Sequence, residues 1–178
     1  DLNILKLHDQ KHATALVTLG KDRSHPWLDL GRIEALLGDD PDDAAYALSR
    51  ALELPGCAVA AWEELGDQRM LGGDPAAAAE AYRKLLAARP KEARLLRKLG
   101  ESLLRQGDTT AAIESLRGAR ELEPRNPGIL RLLASALEDR ENAGRGDLEQ
   151  AARARFEAVA AAPSDAEGHH ALGRALFA

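Results

Sequence analysis

Between Ala93 and Gly107 the residues Leu96, Leu99, Leu103 and Leu104 have the spacing of one helical face. Gly107-Asp108 ends that helix and opens another, since Gly suits a left-handed C′ position and Asp an N-cap. The second stripe runs through Ala112, Leu116, Ala119 and Leu122. Glu123-Pro124 stops it, because Pro cannot extend a helix and disfavours helix in the residue before it. The pattern predicts helix, tight turn, helix, stop.

The same pattern appears in the preceding stretch. Trp62, Leu65, Gly66 and Met70 mark a first helix, Gly73-Asp74 a turn, and Ala78, Tyr82, Leu85 and Leu86 a second helix closed by Pro90. Earlier still come Trp27, Leu30 and Gly31, then Gly38-Asp39, then Ala44, Leu48 and Ala51, ending at Pro55-Gly56. A fourth unit has Leu130, Leu133, Ala134 and Leu137, then extra residues around Glu141 to Arg145 before Gly146-Asp147. Its second helix carries Ala151, Phe156, Ala158 and Val159 and stops at Pro163. Leu30-Gly31, Leu65-Gly66 and Leu99-Gly100 recur at steps of 35 and 34, Leu133-Ala134 comes 34 later, and Leu172-Gly173 follows after 39. A large residue sits three positions before each Leu: Trp27, Trp62, Leu96, Leu130 and, as a weaker match in the core-facing slot, His169. The small residues Gly31, Gly66, Gly100, Ala134 and Gly173 mark the tightest point of helix crossing. A period of about 34 with two helical patterns per period is a helical repeat array, in which each unit packs on its neighbours. Such an array favours a binding surface over a reaction centre.

The residues that carry the period resemble the tetratricopeptide repeat (TPR) signature. They are Trp62-x-x-Leu65-Gly66, Gly73-Asp74, Ala78, Tyr82 and Pro90, and likewise Leu96, Leu99-Gly100, Gly107-Asp108, Ala112, Ala119 and Pro124. The resemblance implies an all-α fold, a right-handed α-solenoid (superhelix) of antiparallel helix pairs. The array covers residues 24–178 as units of about 24–58, 59–92, 93–126 and 127–165 and a partial unit 166–178. Residues 1–23 form an N-terminal segment in which Asp9 to Leu19 reads as a packing helix. The family aromatic on the second helix is present as Tyr82, whereas Phe156 stands one residue late. Glu34 and Arg69 replace a large apolar group late in their first helices. The last helix is expected over Ala166 to Phe177.

In this family the first helices line the concave face. The resemblance therefore places His25, Leu28, Arg32 and Leu36 of the first unit there, and Glu63, Asp67, Met70 and Leu71 of the second. The third would present Arg94, Arg97, Glu101, Leu104 and Arg105, with Lys98 at the edge. The fourth would present Arg131, Ser135, Glu138 and Asp139, and the fifth His170 and Arg174. A basic stripe of Arg94, Arg97, Lys98, Arg105 and Arg131 thus lies beside an acidic one of Glu63, Glu64 and Asp67. Arginine forks suit an acidic peptide or a C-terminal carboxylate. The competing reading is that neighbouring repeats pair their own charges. The clamp by which co-chaperone members hold chaperone tails is not matched: its positions carry Leu28, Arg32, Glu64, Arg94 and Lys98, and only the last two fit.

Charge and composition narrow the partner. The net charge of −5 argues against nucleic acid, whose binders draw affinity from phosphate contacts. Cys57 stands alone, so no internal disulfide forms. No apolar run reaches the about 18 residues of a membrane span. No signal peptide is legible; the chain starts at Asp1 without Met, which leaves open a removed leader and a longer parent polypeptide. The Ala- and Arg-rich composition suggests a bacterial source; a soluble protein is expected, its compartment, cytoplasm or periplasm, being unknown. His8 and His12 share an i, i+4 spacing but lack a third ligand, so no metal is expected. Neither catalytic spacing nor a cofactor motif is present. The expected function is non-catalytic recognition of a protein or peptide in the groove. The alternative is a structural role, as an oligomerising or spacer region of a larger assembly.

Overall fold

A computed structural model describes residues 26–37, 40–53, 58–140 and 143–176. The expected helix within residues 9–19, His8, His12, His25, Cys57 and Phe177 lie outside these. All regular structure among the described residues is α-helical. The helices are α1 (Pro26–Leu37), α2 (Pro41–Ala51), α3 (Ala58–Leu71), α4 (Pro75–Ala88), α5 (Ala93–Gln106), α6 (Thr109–Leu122), α7 (Pro127–Glu138), α8 (Arg145–Ala161) and α9 (Ala166–Leu176).

The turns within the hairpins follow from two side-chain types. Gly107 adopts φ 89°, which L-residues with a side chain rarely take. This lets the Asp108 N–H reach back to the Leu103 carbonyl at 2.9 Å, closing α5. Asp108 Oδ1 then accepts from the Ala111 N–H at 3.1 Å and caps α6. One repeat earlier Gly73 adopts φ 78°, the Asp74 N–H bonds to the Arg69 carbonyl at 2.8 Å, and Asp74 Oδ1 caps α4 through the Ala77 N–H at 3.0 Å. Proline at the first position of α2, α4 and α7 costs no hydrogen bond there.

The chain divides into two compact units, residues 1–85 and 86–178, with α4 crossing the division. In the first unit α1 packs on α2 and α2 on α3. Leu28, Ala45, Leu48, Ala51, Ala61 and Leu65 form the core, with Trp27 and Trp62 packed half-buried against it. The two tryptophans are therefore wedges between helices. Trp27 meets Tyr46 edge to face at 6.2 Å, and the Arg50 guanidinium lies 5.8 Å from the Trp27 ring. In the second unit α5 to α9 pack in succession, and α5 also touches α7. Ile113, Leu116, Leu133, Ala134, Leu137, Ala151 and Ala154 lie in its larger core cluster.

The departures from the apolar pattern have visible consequences. Glu34 and Arg69 stand where Leu103 and Leu137 are buried in later repeats. Arg69 instead crosses to α2 and pairs with Asp42 at 3.1 Å. Four expected placements change. Leu28 is buried in the core rather than presented for binding. His169 is exposed, with Nε2 3.0 Å from the Pro163 carbonyl, so it does not fill the core slot held by Leu130 one repeat before. Phe156 is 64% exposed and contributes little to the α8 stripe. Leu122, on the α6 stripe, is 43% exposed.

Candidate partner-binding site

The second unit holds an open cavity of about 560 Å³ lined by α5, α7, α8 and α9. α5 supplies Arg97 and Glu101, spaced i, i+4 on one face, and α7 supplies Gly128, Arg131, Leu132 and Ser135. His170 and Ala171 come from α9, and Arg155 comes from α8. Its volume is in the range of ordinary ligand sites. Its chemistry is cationic side chains held by carboxylates of the same chain.

Each guanidinium has such a partner. Arg97 stands 3.7 Å from Glu101, which also takes a 3.0 Å bond from Arg105. Arg131 NH1 pairs with Asp165, just before α9. Arg155 is bidentate on Glu138, with Nε–Oε1 at 2.7 Å and NH2–Oε2 at 2.5 Å. The last pair is the most enclosed, the Arg155 side chain being 11% exposed. The hydrogen bond to Glu138 raises the Arg155 pKa above its ordinary value, outweighing desolvation, so the guanidinium is a permanent cation. Gly128 brings the α7 N-terminus to the cavity wall. Asn126 Oδ1 accepts from the Gly128 and Ile129 N–H groups at 3.0 and 3.3 Å. The Arg97 stem passes 3.8 Å from the place a Gly128 Cβ would occupy.

The tetratricopeptide repeat model matches residues 28–93, 64–127 and 97–154. The chain belongs to the tetratricopeptide repeat family. No curated protein matches it. Among solved structures, MamA 41-end from Desulfovibrio magneticus RS-1 aligns at TM-score 0.77 and 21% identity, over 87% of this chain and 84% of that one. A crystal structure of MamA protein aligns at 0.75 and 22%, over 84% and 79%. MamA AMB-1 aligns at 0.67 and 24%, over 82% and 76%. At these identities the likeness is one of fold, the α-solenoid of helical hairpins that the TPR period implies. As a TPR chain it is an interaction scaffold, built to present helix faces to other proteins.

The residues expected to line a TPR groove fall into distinct settings. Arg97, Glu101 and Arg131 meet at the cavity. Arg105 reaches Glu101 from outside the lining, and Leu104 packs half-buried on the core of α6 to α8. Arg94 is exposed and Lys98 half-buried, both outside the lining. Glu63, Asp67, Met70 and Leu71 belong to α3 in the first unit. There the Tyr82 hydroxyl donates to Asp67 Oδ1 at 2.6 Å, and Arg32 Nε donates to Glu64 Oε1 at 2.8 Å. Leu71 is 71% exposed and Leu36, its equivalent 35 residues earlier, 77%.

Arg155 is the residue that sequence reasoning missed. The family places an aromatic or apolar residue on the second helix at this register, and Phe156 draws the eye. The signal that finds Arg155 is the period: Tyr82, Leu116 and Arg155 follow Gly66, Gly100 and Ala134 by 16, 16 and 21 residues, the last step widened by the five-residue insertion.

Proposed function

We propose that this TPR chain is a non-catalytic docking module for an acidic segment of a partner protein. The segment, extended or helical, lies across the first helices of the second unit, α5 and α7. Arg94, Arg97 and Arg131 engage its carboxylates, with Lys98, Glu101 and Arg105 bordering them. Leu104 supplies apolar contact there; on α3 of the first unit, taken by itself, Met70 and Leu71 offer apolar contact and Glu63 and Asp67 a polar edge. The observation that carries this reading is the shared cavity of Arg97, Arg131 and Arg155. Guanidinium forks match carboxylates bidentately, and in a partly enclosed cavity such bonds are stronger than on an open surface. The exposed Leu36 and Leu71 favour a partner that also carries apolar side chains.

Affinity capture with the chain as bait, compared with an Arg94→Glu, Arg97→Glu variant, tests the reading. Loss of the captured partner from the double variant is expected. Undiminished recovery removes the basic face from the function. Light scattering over a range of concentrations runs beside it. A mass that rises with concentration, with no heterologous partner captured, would favour the self-associating structural role instead.

A further inference from the structure

We infer that Arg155, a residue of the second helix of its repeat, completes a subsite for a single carboxylate together with Arg97 and Arg131. The inference rests on the docking function proposed above and names the anchoring group of the ligand.

Arg155 reaches the first-helix face because of its shape. In the repeats where the second helix carries Leu48, Tyr82 or Leu116, the facing residue is Gly31, Gly66 or Gly100, and an added Cβ would come within 2.5–2.6 Å of the opposing side chain. The fourth repeat has Ala134 instead, fully buried in the same core. At that register the second helix carries the unbranched Arg155, which pairs with Glu138 of α7 and lines the cavity. Glu138 binds the Nε and NH2 side of the fork. Among the described residues NH1 bonds to nothing, and a guanidinium carries five N–H groups in a fixed plane, so its NH1 donors are the ones offered to a ligand. Glu138 is thus a positioning residue: it fixes the plane of the group that makes the contact.

The charge count selects the ligand. Arg97, Arg105, Arg131 and Arg155 meet three carboxylates directly, Glu101, Asp165 and Glu138. Asp139 adds a negative charge felt by Arg155 at longer range. A near-balanced cluster with unused donors can share them with one carboxylate. A dianionic phosphate would face the resident carboxylates with twice the charge. The α7 N-terminus at the cavity wall adds a modest positive potential.

The test follows the arginine Nε–Hε signals of the ¹⁵N-labelled full chain by NMR. The probes are acetyl-Leu-Asp-Leu-amide, acetyl-Leu-Leu-Leu with a free C-terminus, the neutral acetyl-Leu-Asn-Leu-amide, and inorganic phosphate. Expected is a saturable shift of Arg97, Arg131 and Arg155 with one or both carboxylate peptides, and weaker binding of the amide and of phosphate. The peptide that binds tighter tells a side-chain carboxylate from a chain terminus. Arg155→Met keeps an unbranched stem beside Ala134 and should weaken the better peptide by about tenfold, the worth of one charged hydrogen bond. Arg155→Lys keeps the charge without the fork and should fall between. Circular dichroism melting confirms that each variant is folded. An Arg155 signal that stays still at saturation, or a loss of less than threefold in Arg155→Met, overturns the inference. The Arg94→Glu, Arg97→Glu variant leaves Arg155 in place, so loss of the captured partner from it together with an Arg155 signal that stays still keeps the docking function and sinks the Arg155 subsite.

Discussion

A Cβ on Gly66 would lie 2.5 Å from Cε1 of Tyr82, inside any real contact distance. The Tyr82 ring therefore rests against bare α3 backbone, and its hydroxyl reaches past to Asp67. Gly31 with Leu48 and Gly100 with Leu116 repeat the relationship at 2.6 Å. Glycine inside a helix gives up about 1 kcal/mol relative to alanine, so the close approach must outweigh that loss.

The balance predicts opposite signs at two equivalent positions. Gly100→Ala gains about 1 kcal/mol of helix propensity but forces Leu116 away, at about 1–3 kcal/mol for overpacking. A net loss of about 1–2 kcal/mol is expected, read as a lower urea midpoint. At Gly173 nothing among the described residues lies within 4 Å of an added Cβ. Gly173→Ala should stabilise α9 by up to about 1 kcal/mol, seen as slower amide exchange in that helix. Equal effects at both sites would remove the packing explanation for the repeat's small residue.

The hairpin turns give a prediction that transfers between repeats. Asp74 and Asp108 cap α4 and α6 through the third residue after each, behind a left-handed Gly73 or Gly107. Asp74→Ala and Asp108→Ala should each cost about 1 kcal/mol, and Gly107→Ala about as much through strain at positive φ. Thermal melts of the single variants check this. Matching losses at the two aspartates would show that one device serves both turns, whereas an unaffected variant would mean that water replaces the cap.

These turns, and the Leu-Gly stripes between them, were legible because each is a local signal with one physical meaning. Glycine followed by aspartate marks a helix end and a new start at Gly73-Asp74 and Gly107-Asp108, but Gly146-Asp147, expected as a turn, lies inside α8, which Gly144 opens instead. An apolar i, i+3, i+7 stripe marks a packed face. The candidate site was less legible because it depends on which charges find each other across repeats. Arg131 meets Asp165 and Arg32 meets Glu64 at separations of 34 and 32 residues, set by packing rather than by local pattern. Burial also overrode residue type. Phe156 is apolar yet exposed, while Arg155 beside it is enclosed and paired with Glu138. Leu28, expected as a groove contact, went to the core because α2 and α3 cover it.

The enclosed pair should behave unlike the exposed ones. Glu138→Ala leaves the Arg155 guanidinium, 11% exposed, without its bidentate partner. A loss of about 1–3 kcal/mol is expected for an unsatisfied charged donor. Arg145→Ala breaks an i, i+4 pair with Glu149 whose members are both well exposed, and should change stability by less than about 0.5 kcal/mol. Denaturant titration of both variants at low and high salt measures the contrast. Similar small losses would mean that Arg155 finds water as easily as Arg145 does.

Asp165 offers the sharpest test of how the cavity treats an incoming acid. Its carboxylate holds Arg131 NH1, so it competes with a ligand carboxylate for the same guanidinium. Asp165→Asn removes that negative charge at nearly constant volume. The pair is partly exposed, so its loss should cost at most about 1 kcal/mol of stability. Binding should move the other way: a freed donor and one more unit of positive charge strengthen the hold on acetyl-Leu-Asp-Leu-amide. The gain should shrink with added salt, because the Debye length falls from about 10 Å at 0.1 M to about 3 Å at 1 M. Titration of the two proteins side by side decides the matter. An affinity that is unchanged or reduced in Asp165→Asn would mean that Asp165 helps to build the site, by holding Arg131 in place, rather than competing with the ligand for it.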